Sequence, residues 1–153
     1  MRAFSRSLPM ALLRAREAVM TRFRPMLRRH GVTEQQWRVL RALAASSVPL
    51  RSSDIAVATC LSLPSLSRLL KTLETRGIVR RTVHEEDLRA AQLSLSRAGK
   101  SLIAKIAPVS ESHYDEITAA LGPHDIERLY ALLDAVVDKL AADGANRGDG
   151  DDD

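Results

Sequence analysis

The sequence predicts a mainly α-helical fold that carries one small β-hairpin, and three observations lead there. Apolar residues recur at intervals of three and four along most of the chain, whereas only residues 78–83 and 92–96 have the β-branched or alternating character of strands. Capping residues stand where helices should begin: Thr33 with Gln36, Ser62 with Pro64, and Ser96. Gly31, Gly77 and Gly122 stand where helices should end.

Taken in order, Leu8, Leu12, Ala15, Val19, Phe23 and Met26 form one apolar face of a helix over about residues 7–30, which Pro25 should bend. Trp37, Leu40, Leu43 and Ala44 give the inner face of a second helix that runs from the Thr33–Gln36 box to Ser46. After a proline-containing polar turn, Ser52 or Ser53 should cap a short helix through Ile55, Ala56 and Ala58. Ser62 caps the next helix, which buries Leu66, Leu69, Leu70 and Leu73 and turns Ser65, Arg68, Lys71 and Thr72 outward. Strands at 78–83 and 92–96 then pair as a hairpin with residues 84–91 as its tip. A long helix starts at Ser96, with a kink expected at Pro108. A last helix carries Ile126, Leu129, Leu133, Val136 and Leu140, and the Gly/Asp-rich residues 143–153 should be a disordered acidic tail.

Composition narrows the possible functions. With 153 residues, 45% of them apolar and 3% aromatic, the chain can build one cored domain with an oligomerisation arm. Arg, Asp or Pro interrupts every apolar stretch well short of the roughly 20 residues a bilayer span needs, and the first ten residues lack the layout of a secretory signal. A cytoplasmic protein without a membrane partner is expected. Cys60 is the single cysteine, so no internal disulfide forms, and His30, His84, His113 and His124 have no zinc-like spacing. No metal or cofactor is therefore expected. The formal net charge is +4, but the last eleven residues hold five Asp and one Arg, which leaves +8 on the rest. That excess is concentrated in residues 1–31, with eight Arg against Glu17 alone, and in residues 68–97. A basic body without a strongly amphipathic basic helix favours nucleic acid over membrane as the polyanionic partner.

The order of elements gives this charge a purpose. Two short helices meeting across a tight turn, followed by a hairpin, make a winged helix-turn-helix. The small residues Ser62, Pro64, Ser65 and Ser67 let the second helix approach DNA closely, and Arg68, Lys71 and Thr72 reach base edges or phosphates. At the hairpin tip Arg89 suits the minor groove, and Asp87 can brace the loop by accepting hydrogen bonds. Glu85 and Glu86, whose charge opposes phosphate, read as a solvated turn.

Asp87-x-Arg89, five residues, then Leu95-Ser96 and Gly99 resembles the wing signature of the MarR family of bacterial regulators. Residues 62–68 and 73–79 are similar to that family's recognition helix and following strand, and the likeness spans about residues 8–142. Ser96 stands where the family usually has Thr, and both can cap a helix. Within the family, residues 33–40 and the Arg-rich first helix look like regulators of hydroxyphenylacetate degradation. The resemblance implies a homodimer whose residues 1–32 and 97–142 interlock as a helical base. Residues 33–96 would form the DNA-binding domain, with a ligand held between base and wing. The apolar faces of the first and last helices, too long to hide on one small domain, point the same way. For a small aromatic carboxylate effector, Trp37 offers a stacking surface and Arg16 a cation, although a core role for Trp37 and a solvent or DNA role for Arg16 are the plainer accounts.

Three other readings compete with a ligand-responsive repressor. An enzyme would need more than Asp87 with His84 or His113, because no nucleophile, phosphate-cradling glycine loop or paired ligand set accompanies them. A redox sensor would use Cys60, but the turn position suggests a small buried residue, and no second cysteine could resolve an oxidised form. A constitutive DNA-binding module would have the same interface and no effector.

Overall fold

A computed structural model describes residues 3–84 and 87–147. Among the described residues, six α-helices and three strands follow one another as α1 (Leu8–Arg29), α2 (Glu34–Ala45), β1 (Leu50–Arg51), α3 (Ser52–Thr59), α4 (Leu63–Thr75), β2 (Val79–His84), β3 (Asp87–Leu95), α5 (Arg97–Leu121) and α6 (Pro123–Arg147). Two compact units result, residues 1–111 and residues 112–153. None of the described helices is long and apolar enough to cross a membrane.

The caps behave largely as their chemistry requires. The Thr33 hydroxyl accepts the Gln36 N–H, and the Gln36 side-chain oxygen accepts the Thr33 N–H at 3.0 Å, a reciprocal box that fixes the start of α2. Ser62 Oγ accepts the Ser65 N–H at the start of α4, and Gly77 ends that helix at φ +67°. Neither Ser52 nor Ser53 caps α3. Instead Asp54 reaches back to accept the Arg51 N–H at 3.3 Å, since a carboxylate at the third position also offsets the positive end of the helix. α1 runs unbroken through Pro25 and α5 through Pro108.

The core of the first unit gathers the inner faces of the short helices and strands. Leu40, Ile55, Leu66, Leu70, Leu73 and Leu93 are each 1% exposed or less. The sheet has three antiparallel strands in the order β1-β3-β2, one more than the hairpin expected. β1 has two residues, pairing Leu50 with Leu93 and Arg51 with Gln92, too few to show any periodicity. β3 is also longer than expected, beginning at Asp87, with His84 paired to Asp87 beyond a register shift near Thr82. Asp87 and Arg89 therefore lie on strand backbone rather than in a loop: residues 87–90 alternate polar and apolar in the phase opposite to 92–95, the break falling at Ala90-Ala91, which hid the first half of the strand from a single-period reading. Glu85 and Glu86 lie outside the described residues. α6 continues to Arg147, so the first residues assigned to a disordered tail are helical; Gly144 alone does not halt a helix that Ala145 and Arg147 favour. Residues 148–153 lie outside the described residues.

One junction ties the sheet to the long helix. Ser96 Oγ accepts the Gly99 N–H at 3.0 Å and donates to the Gly77 carbonyl at 2.6 Å, while the Ser96 N–H donates to the Ile78 carbonyl at 3.0 Å. A Cβ at Gly99 would lie 2.2 Å from that Ile78 oxygen, so only glycine fits the first turn of α5. Gly99→Ala, a change that stabilises an ordinary helix, should here destabilise by about 1–3 kcal/mol through overpacking. Chemical denaturation checks this, and an unchanged or raised midpoint would contradict it.

Candidate nucleic-acid interface and effector cavity

The outward face of α4 is the first candidate site. Ser62, Leu63, Pro64, Ser65, Ser67, Arg68, Lys71 and Thr72 are all exposed, while the leucines behind them are buried. Ser62 also donates to Ser65 Oγ at 2.9 Å, so these two hydroxyls stiffen the helix tip. Ser65, Arg68 and Thr72, at intervals of three and four, share a concavity of 370 Å³ with Thr33, Gln35 and Gln36. The sequence marked these α4 residues but gave no sign that the N-terminal turn of α2 stands beside them. Its capping box was the available signal: such a turn carries the partial positive charge that attracts phosphate. Behind the helix, Arg81 on β2 donates to Glu74 at 2.9 and 3.2 Å, which links α4 to the wing. Asp87 and Arg89 are placed by their backbone on β3.

The second candidate is a cavity of 210 Å³ between α2 and the first half of α5, lined by Trp37, Arg41, Ala44, Ala45, Ile103, Ala107, Ser110 and Glu111. Of its lining residues Trp37 is 7% exposed and Ser110 1%, whereas the charged Arg41 and Glu111 are exposed. Ser110 Oγ is buried without a hydrogen-bond partner among the described residues, which is uncommon for a polar atom. Cavities of roughly 150 Å³ accept benzene, so this one has room for a single ring and small substituents.

The structure brings Trp37 to this cavity but not Arg16. Arg16 pairs with Glu17 and Glu34, and Arg24 holds the same two carboxylates. The hydrogen bond from Arg24, reinforced by Arg16, holds the Glu34 carboxyl below its ordinary value despite partial burial. An arginine engaged by two carboxylates is a poor partner for a third. The arginine that lines the cavity is Arg41, which follows Trp37 by four residues on one helix face, a spacing visible in the sequence. Ser110 had no such signal, because only the packing of α5 reveals a buried hydroxyl. Cys60 is exposed and left-handed, at φ 52°, rather than buried as expected, because its N–H closes the end of α3. Among the described residues no three His, Cys, Asp or Glu side chains are grouped to hold a metal ion.

Residues 30–90 match the model of the MarR family. The chain is 37% identical over 131 residues to the homoprotocatechuate degradative operon repressor of Escherichia coli, covering 86% of this chain and 88% of that protein. The chain belongs to the MarR family. Among solved structures, NadR in complex with 4-hydroxyphenylacetate superposes with a TM-score of 0.78 at 35% identity, over 89% of this chain and 96% of NadR. The repressor CouR bound to a 23-mer DNA duplex gives a TM-score of 0.79 at 28% identity, over 87% of this chain and 94% of CouR. The fold is thus a winged helix-turn-helix, and as a MarR-family protein the chain is a DNA-binding transcriptional regulator rather than an enzyme.

For a MarR-family recognition helix, Arg68 and Lys71 should fail differently. Arg68→Ala should cost about 1–3 kcal/mol at a selected operator and broaden the set of sequences bound, as expected for a lost base contact. Lys71→Ala should weaken all sequences alike and make the dependence on log salt shallower by about one. Fluorescence anisotropy across a salt series separates the two, and unchanged binding in both variants would contradict the interface.

Proposed function

We propose that this MarR-family protein is a homodimeric repressor of an aromatic-acid degradation operon, released from its operator when a small aromatic carboxylate enters the Trp37–Arg41 cavity. The observation that carries the proposal is the cavity itself. A largely buried indole suits an aromatic ring, the Arg41 guanidinium suits a carboxylate, and the volume suits one ring. Glu111, which lines the same cavity, disfavours ligands carrying a second negative charge. The repressor and ligand names of the relatives support the same chemistry, with a hydroxyphenylacetate as the first compound to try.

A second copy of the chain completes the assembly. α1 leaves Leu8, Leu12, Leu13 and Val19 exposed, and α6 leaves Leu129, Tyr130, Leu132, Val137 and Leu140 exposed. Apolar faces of that length are covered in a stable protein, and a two-fold dimer covers both with one operation. Residues 1–32 and 97–142 then serve as the dimer base and residues 33–96 as the double-stranded DNA-binding domain, acting in the cytoplasm. The ligand acts by favouring a spacing of the two winged units that no longer fits successive grooves. A tenfold effect requires only about 1.4 kcal/mol of differential binding between the two forms of the dimer.

Calorimetric titration of 4-hydroxyphenylacetate into the protein, with and without operator duplex, tests this. Affinity should fall when operator is present, by the same factor by which the ligand weakens DNA binding. Arg41→Ala should lose at least tenfold in ligand affinity, while Arg16→Ala should lose less. Equal ligand affinity in both states would leave a constitutive DNA-binding protein as the correct reading.

A further inference from the structure

The leucines of α4 are buried, with one exception. Leu63, Leu66, Leu70 and Leu73 follow one another at intervals of three, four and three, so they share a single apolar stripe. Leu66, Leu70 and Leu73 are at most 1% exposed, whereas Leu63 is 55% exposed. The stripe continues one turn past the protein's own core and leaves the body at the helix tip. Single exposed leucines are common and by themselves mean little. This one stands in the first turn of the helix, between the capping Ser62 and Pro64, where a recognition helix meets base edges.

We infer that Leu63 reads the 5-methyl group of a thymine in each operator half-site. The inference rests on the reading that α4 enters the major groove tip first. Within that groove the thymine methyl is the apolar group that a base pair presents, every other distinguishing feature being a hydrogen-bond donor or acceptor. A leucine offers no hydrogen bond, so at a groove floor it distinguishes thymine from other bases only through that methyl. Pro64, also exposed and without an N–H, extends the apolar contact surface along the same tip.

The test uses the full-length protein and a duplex that the protein itself selects from random sequence. Each thymine of the selected duplex is replaced in turn by deoxyuridine, which removes the methyl and leaves base pairing intact. At one position per half-site the wild-type protein should lose about fourfold in affinity, the equivalent of the ~0.8 kcal/mol carried by one buried methyl-sized group. Leu63→Ala should bind the thymine and deoxyuridine duplexes equally at that position. Leu63→Met, which keeps an apolar side chain of similar reach, should retain the preference. Circular dichroism and melting temperature should match wild type in both variants, because Leu63 lies outside the core. A selected duplex with no methyl-sensitive thymine, or a methyl effect that persists in Leu63→Ala, would overturn the inference. If neither Leu63→Ala nor Arg68→Ala alters operator binding, the placement of α4 in the groove falls as well.

Discussion

The DNA-binding unit depends on the close approach of Gly99 to the Ile78 carbonyl. There the end of α4, the start of β2, the end of β3 and the start of α5 meet within a few residues, and Ser96 satisfies three backbone groups at once. Without a side chain at residue 99 the first turn of α5 lies directly against the strand. A displacement of the first turn of α5 would therefore press directly on the Ile78 carbonyl, between the end of α4 and the start of β2. The same helix, α5, lines the cavity that α2 closes on its other side. The close approach also explains why a Leu-Ser-x-x-Gly pattern follows the wing: each member has a stereochemical task.

Electrostatics add a second tie, between α1 and α2. Glu34 is held by Arg24 and Arg16, and its lowered pKa means that the folded chain binds a proton there less readily than the unfolded chain. The stability this brings is present above the ordinary Glu value and is lost as pH falls through the lowered one. At neutral pH the tie is complete, and it anchors the N-terminal turn of α2 that stands beside Ser65, Arg68 and Thr72. Glu34 thus ties α1 to the start of α2, although no sequence motif announces it.

Much of this was legible in the sequence because the signals were local. Caps at Thr33, Ser62 and Ser96, the leucine period of α4 and the glycine stops each act within one turn of chain, so residue type and spacing reveal them. The parts that were not legible are those set by distant packing. β1 has two residues and exists because β3 offers it an edge. The exposure of Cys60, the engagement of Arg16 by carboxylates and the buried hydroxyl of Ser110 depend on which surfaces meet. The cavity combined both kinds of information: Trp37 was visible as a lone indole on an amphipathic helix, and Arg41 on the same face became its partner only once α5 closed the other wall.

Hydroxyl-radical footprinting on a selected operator tests most directly the claim that two winged units on one dimer read the DNA. Two protected backbone segments should appear, their centres about 10 bp, or one helical turn, apart and related by a dyad in the sequence. A single protected segment occupied by one chain, or two segments at a spacing that varies from site to site, would contradict it.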